Sequence, residues 1–591
     1  APRRRPARRV TPDPVAGRVP ADAATARAVP ADLPADVPAD PPADLPADLR
    51  AALDDYERAL AADDLPALDD AFADEPTTLR GDAAGLLVGA DAIRAFRGTR
   101  GGVAPRTTRR LEARRLADDC WLLVSVHAYD GGGSGLQTQV WRRDPDRWRV
   151  VAAHVTGRTR AFDRTVWRTV GDPMYQGAYD GPLRGLRVAV KDVVAVKGYR
   201  VGAGNPTWLD GATPERHHAP AVLDLLQGGA SVRGIARTDE LAYSVAGDNP
   251  HHGTPPNGAL PGALPGGSTS GPASAVATGQ ADVGLGTDTA GSLRVPASYQ
   301  GLWGLRTTHG LVPRQGVLPL APSFDTVGWL ARDGATLERV VRWCLADGDD
   351  AAPGDGSTDG STDGAGTRLV VPVEAVEACD PGTAEAFRAW LRTAAAALPG
   401  CTLAEASLGP LDAWAADFRT VQAAEAWRLH GAWVRAHPGA LGAAVAGRFA
   451  TAAQVTPAQE RAARERLDGL RARVRALVAD AVLVLPTTPG PAPARTLDPA
   501  ALDAVRAATL RLTAPAAVGR LPALSVPLLT VPSPLGPAPV GVCLVGAPRT
   551  DLALVALGRR LAAATAVPAR AAAAATAAAA PADRTTTGGP R

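Results

Sequence analysis

Lysine is nearly absent from this 591-residue chain: of its 63 basic residues, all but Lys191 and Lys197 are arginine. Enrichment in arginine, alanine, glycine and proline points to a GC-rich coding bias that replaces lysine wherever a fixed positive charge suffices. A lysine surviving that pressure is a candidate for what guanidinium does not do, which is to lose its proton and act as a base. Cysteine is also scarce. Cys120, Cys344, Cys379, Cys401 and Cys543 lie far apart, which argues against a disulfide framework or a clustered cysteine zinc site and fits a reducing cytoplasm. No apolar run reaches the roughly 18 to 20 residues that span a bilayer, so no membrane partner is expected. With 63 basic against 61 acidic side chains, the net charge of +2 provides no concentrated basic face for nucleic acid.

What is present divides the chain into four parts. Residues 1–48 combine an Arg-rich start with a loose Pro-Ala-Asp repeat. Proline at this density, with few large apolar residues, predicts a disordered or extended lead. The arginine cluster is not followed by an apolar stretch, so it makes a poor export signal. Residues 49–160 read as a compact α+β unit. LRAALDDYERALAA (49–62) has helical apolar spacing, and a second helix is expected near 66–74. WLLVSVHAY (121–129), GLQTQVWRR (135–143) and RWRVVAAHV (147–155) read as strands, the last two joined as a hairpin through Asp-Pro-Asp. Residues 161–565 alternate strands such as LRVAVKDVV (186–194), SVRGIAR (231–237) and DAVLVLP (480–486) with Ala-rich helices, the pattern of a sheet flanked by helices. A Gly/Ser/Asp surface loop at 354–366 and an Ala-rich tail at 566–591, expected to be disordered and outside the fold, complete the chain.

The chemistry concentrates in the third part. Lys191 follows a buried-strand pattern (Val188, Val190), and desolvation there disfavours the ammonium form. Lys197, beside Gly198, reads as a solvated surface charge. Downstream, Gly266-Gly267 precede Ser268, and Ala290-Gly291 precede Ser292 within PGGSTSGPASAVATGQADVGLGTDTAGSLRVPAS (265–298). Serines set after small residues can supply a nucleophile and a nest of backbone N–H donors for an oxyanion. No candidate serine sits in G-x-S-x-G, neither lysine follows S-x-x or precedes Ser/Thr, and no H-E-x-x-H occurs. The pairs His217-His218 and His251-His252 read as loop or supporting polar residues, and neither metal nor cofactor is expected.

AVKDV, ARTDELAYSVAGDNPHHGTPPN, GGSTSG, LGTDTAGSLRVPAS and GLVPRQGVLPLAPSFDTVG, in this order and spacing, resemble the amidase signature family. The resemblance implies a Ser–cis-Ser–Lys triad. Ser292 is then the nucleophile, Lys191 the neutral base, and Ser268, after a cis peptide, the relay between them. It also implies an oxyanion hole from the backbone N–H groups of Thr289, Ala290, Gly291 and Ser292. Two residues depart from the family pattern. Ala290 replaces a glycine, which is tolerable only if the backbone there does not need positive φ, and Thr269 replaces a serine.

The small unit, through DDYERAL, TTLR and WRVVAAHV, resembles the AtzH-like group of the SnoaL superfamily. That likeness implies a cone whose interior receives Tyr56 and Arg80, in a group associated with decarboxylating N-carboxylated ureas. Arginine suits a carboxylate through its forked donors. The competing reading makes Arg80 the partner of a surface acid and Tyr56 helix packing. Trp121, Trp141 and Trp148 are expected in the core or rim. Taken together, the resemblances imply an amidase acting on a small amide or ureide, with a homodimer expected. Two alternatives are a glutaminase-type subunit supplying ammonia to a partner, and a small unit serving only binding or dimerisation.

Overall fold

The computed structural model describes residues 44–578, apart from 83–84, 99–105, 130–133, 157–162 and 346–366. The expected loop at 354–366 lies outside the described residues, as do most of the lead (1–43) and the end of the tail (579–591). The chain divides into two compact units, residues 1–161 and 162–591.

In the first unit, helix α1 (Ala47–Ala62) buries Leu49, Leu53, Tyr56 and Ala59 along one face, and Asp63 ends it in the left-handed region at φ 52°. Helices α2 (Leu65–Asp70) and α3 (Ala90–Gly98) accompany a six-stranded sheet. Its strands are β1 (Leu79–Asp82), β2 (Gly85–Val88), β3 (Arg106–Ala117), β4 (Cys120–Tyr129), β5 (Ser134–Asp144) and β6 (Arg147–Val155), in the order β2-β1-β6-β5-β4-β3. The predicted hairpin is present, with Asp144 opposite Arg147. The three tryptophans are core: Trp121, Trp141 and Trp148 pack with Leu53, Tyr56 and Val150. Strand β3 has no counterpart among the expected strands because Leu111 is its one buried residue, which leaves no apolar alternation to detect.

The second unit is built on an eleven-stranded mixed sheet flanked by helices. Strands β7 (Trp167–Tyr175), β8 (Arg187–Lys191), β9 (Ser231–Ala236), β10 (Val283–Asp288), β11 (Trp303–Arg306) and β12 (Thr326–Ala331) form one part. Strands β13 (Arg368–Pro372), β14 (Thr402–Ala406), β15 (Val482–Pro486), β16 (Ala523–Val531) and β17 (Ala538–Val545) form the other. The order is β14-β13-β15-β17-β16-β11-β12-β10-β8-β9-β7. Strand β8 pairs in parallel with both β9 and β10, and covered on both faces it can be apolar throughout. The last helix, Asp551–Ala578, runs on into the alanine stretch, which was expected to lie outside the fold. Alanine's helix propensity carries the backbone there without large apolar side chains.

Candidate active site

Strand β8 delivers Lys191 into the sheet with Val188, Ala189 and Val190 fully buried, and Lys191 itself is 0% exposed. Its Nζ lies 2.8 Å from Ser268 Oγ and 2.8 Å from Thr287 Oγ1. Burial pushes its pKa from 10.5 down to about 7, against the opposing pull of the Asp239, Asp288 and Asp325 carboxylates.

Ser268 reaches Lys191 because the preceding segment passes through positions where only glycine fits. Gly266 adopts φ +75°, and the Asp239 carboxylate stands where a Cβ on Gly267 would go. The Gly267–Ser268 peptide is cis. Thr238 Oγ1 and the Asp239 N–H both donate to the Ser268 carbonyl, at 2.7 and 3.3 Å, while Asp239 accepts from Gly247 N–H at 2.9 Å and Ser270 Oγ at 3.0 Å. The segment after β9 thus holds the serine's carbonyl while β8 holds its hydroxyl.

Ser292 sits on the turn after β10, 4% exposed, and its carbonyl accepts from Thr269 N–H at 3.2 Å. Asp288 organises this turn. Its carboxylate accepts from the N–H groups of Gly291 (2.9 Å), Leu293 (3.2 Å) and Arg294 (3.4 Å). Arg294 adds a two-pronged contact through Nε and Nη2 at 3.0 and 2.9 Å, and Arg306 Nη1 a third at 3.2 Å. These buried guanidinium groups hold the Asp288 carboxyl far below the ordinary aspartate value, against the raising effect of burial. Thr289 Oγ1 donates to Asp325 at 2.6 Å, and Thr513 Oγ1 to the Ala290 carbonyl at 2.6 Å.

This geometry answers the question that Ala290 raised. Ala290 is not among the residues with positive φ, while Gly291 takes φ +118°, so the methyl group falls where it is tolerated. It also separates one expected oxyanion donor from the rest, because the Gly291 N–H is directed at Asp288. A Cβ on Gly291 would meet Thr513 Cγ2 and Val295 Cγ2 at 3.0 Å. Gly291→Ala is therefore expected to lower kcat about 100-fold with KM little changed, by shifting the turn that carries Ser292, as steady-state kinetics will show.

A cavity of about 620 Å³ opens beside these residues, lined by Thr287, Thr289, Arg314, Leu320 and Asp325 among others. Thr287 and Asp239 did not stand out in the sequence. Their signal was position alone, at the end of the strand before Ser292 and in the segment after β9. Lys197 is exposed, as expected of a solvated charge. The His251 pair has a carboxylate that sequence distance concealed: Nε2 lies 2.6 Å from Glu240 Oε1, with Asn205 Nδ2 3.3 Å away.

In the small unit, Tyr56 is 6% exposed and packs edge-on to Trp141. Arg80, also 6% exposed, donates to Asp82 at 2.7 Å and lies over the Phe96 ring. Tyr56 thus packs as a helix residue, and burial and the adjacent Glu57 push its hydroxyl above the ordinary tyrosine value against the opposing pull of Arg97, Arg106 and Arg80.

Comparison with known proteins fits this architecture. The amidase family model matches residues 170–555, and the AtzH-like model residues 40–160. Amidase 1 of Oryza sativa subsp. japonica is 46% identical over 169 residues, 29% of this chain and 39% of that protein. A glutamyl-tRNA(Gln) amidotransferase subunit of Halobacterium salinarum is 34% identical over 253 residues, 39% of this chain and 58% of that protein. The chain thus spans less than two-thirds of the length of these curated relatives. Among solved structures, an inhibitor-bound complex described as revealing the evolutionary origins of an s-triazine catabolic enzyme has a TM-score of 0.57 at 28% identity, covering 66% of this chain and 86% of that one. The corresponding glutamyl-tRNA(Gln) amidotransferase subunit from Thermotoga maritima has a TM-score of 0.56 at 25% identity, covering 68% and 87%. With its sheet, its buried lysine and a family match over most of its length, the chain belongs to the amidase family and carries an AtzH-like region at its N-terminal side.

Proposed function

We propose that the chain hydrolyses the carbon–nitrogen bond of a small amide or ureide through an acyl-serine. The observation that carries this reading is the buried, proton-poor Lys191 amine in hydrogen-bond contact with Ser268. Ser292 Oγ attacks the carbonyl carbon, its proton passing to Ser268 as the Ser268 proton passes to the Lys191 lone pair. The backbone N–H groups of Thr289, Ala290 and Ser292 receive the developing oxyanion. Collapse of the tetrahedral species breaks the C–N bond, and the same relay returns a proton to the leaving amine. Water then attacks the ester with the relay acting as base, and the acid leaves.

The small unit, in this reading, binds or decarboxylates an N-carboxylated urea at Tyr56 and Arg80, so that two steps on related substrates share one chain. The likeness to a structure described through an s-triazine catabolic enzyme favours a small nitrogen-rich substrate for the chain. The test is an ammonia-release screen over simple amides, ureides and glutamine, with Ser292→Ala as the blank. Release by the chain alone is expected, and Lys197→Arg should keep the rate within about twofold, as surface substitutions generally do. The amidotransferase relatives favour a second reading, a glutaminase component of a larger complex; ammonia from glutamine only when a partner chain is added would establish it instead. If Tyr56→Phe and Arg80→Ala alter assembly and no turnover, the small unit is a binding or dimerisation module.

A further inference from the structure

Among the described residues, the sheet of the small unit holds four buried donors without a hydrogen-bond acceptor: Gln137 Nε2 and Gln139 Nε2 on β5, and Trp148 Nε1 and Arg149 Nε on β6. Gln137 and Gln139 alternate on β5 with Trp141, so all three point to one face, and the glutamines are 1% and 2% exposed. Gln137 Oε1 accepts from Arg106 Nη2 at 3.0 Å, and Gln139 Oε1 accepts from Trp141 Nε1 at 3.2 Å. Guanidinium and indole N–H groups only donate, so they fix which end of each amide is oxygen. Both Nε2 groups are thereby turned away from these partners, and neither has an acceptor among the described residues. A buried donor left unpaired carries a desolvation penalty, and two on one strand face are open to the acceptors of a ligand.

The register shows what surrounds them. Arg80 on β1 stands opposite Ala153 on β6, which stands opposite Gln139 on β5. Directly opposed residues share a face, and strands lie about 4.8 Å apart. Arg80 and Gln139 therefore stand about two strand spacings apart on one face, with only the small side chain of Ala153 between them. In the next row Gln137 stands opposite Ser125, whose Oγ is 2.8 Å from His127 Nε2, while Thr108 Oγ1 lies 3.2 Å from His127 Nδ1. Burial and the nearby Arg106 push His127 down to about 4, so the imidazole itself is neutral at pH 7. Arg80, Arg97 and Arg106 each hold one carboxylate, those of Asp82, Asp69 and Glu57, and each guanidinium keeps further N–H donors beyond that pair.

We infer that Gln137 and Gln139 are the ligand-reading donors of this unit. They select a small acyclic anion carrying a carboxylate and a second carbonyl oxygen, with the carboxylate between Arg80 and Gln139 and the carbonyl at Gln137. The inference deepens the proposed reading of the small unit and rests on it for the substrate class. It adds that the ligand must present two acceptors to this face, so a carboxylate alone is a poor fit.

The probes are malonamate, the stable methylene counterpart of N-carboxyurea, and butyrate, which keeps the carboxylate and lacks the second carbonyl. Hydrogen-exchange mass spectrometry on the full chain carrying Ser292→Ala reads where each binds without turnover. With malonamate at tenfold its Kd, exchange in peptides covering β5 and β6 should slow about elevenfold by mass action, and butyrate should give no slowing there. Gln139→Glu keeps an acceptor for Trp141 Nε1 and replaces the donor with an anion, so it should remove the slowing. Slowing confined to residues 162–591, equal slowing by butyrate, or undiminished slowing in a folded Gln139→Glu chain would each overturn the inference. Should that variant not fold, the malonamate–butyrate comparison still decides. Ammonia release without malonamate slowing in β5 sinks this inference alone. Slowing in β5 with no ammonia from any substrate sinks the amidohydrolase reading and leaves the ligand site standing.

Discussion

Lys191→Arg is expected to abolish amide hydrolysis, a loss of about 10²–10⁴-fold, the usual contribution of a positioned general base. The substitution keeps a cation and removes the ability to be uncharged near neutral pH. In the native chain the lysine titrates at about 7 because burial opposes its charge more than Asp239, Asp288 and Asp325 support it. In the proposed mechanism the neutral amine is the active form, so kcat/KM should rise as pH increases through about 7 and level off above it. The arginine variant should stay flat at its residual rate. A pH–rate series on both proteins checks this, and retained activity in Lys191→Arg would remove the base from the mechanism.

The second large effect concerns stability. Asp288 is fully buried and faces two fully buried guanidinium groups, Arg294 and Arg306. Asp288→Asn keeps the shape and removes the anion, leaving two cations without their counter-charge. Breaking such a buried pair typically costs about 3–5 kcal/mol, which should appear as a lower denaturant midpoint. Activity should fall as well, because the same carboxylate holds the N–H groups of Gly291, Leu293 and Arg294 around Ser292. The pH dependence carries a sign. The folded-state pKa lies below the unfolded value of 3.8, so the stabilisation is fully present above that value and is lost as pH falls beneath it. The difference between wild type and Asp288→Asn should therefore narrow in acid. A constant gap down to low pH would show that the charge is not what stabilises this turn.

Much of this site was legible in residue type and order alone. Lys191 stood out in a chain that otherwise uses arginine, and the glycines before Ser268 and Ser292 marked close backbone approach. The small unit's hairpin announced itself through alternation and Asp-Pro-Asp. Other features left no local trace. Strand β3 is Arg-rich with a single buried residue, so its pairing with β4 decides its form. The commitment of the Gly291 N–H to Asp288 is a matter of which way one carboxylate points. Glu240 and His251 meet through a fold of the chain, and the buried donors of Gln137 and Gln139 are visible only once the partners of their oxygens are known.

The order of residues settled which chemistry was within reach: a lysine where arginine was the default, hydroxyls beside glycine, and apolar strands able to bury a charged side chain. Those are properties of residue type and local period, and they survive any arrangement of the elements. Packing in three dimensions alone established which hydroxyls touch the amine and which N–H groups of the Ser292 turn Asp288 binds. The reason is physical. Hydrogen bonds and burial depend on distances of a few tenths of an ångström between segments far apart in the chain, and nothing short of the folded arrangement fixes those distances.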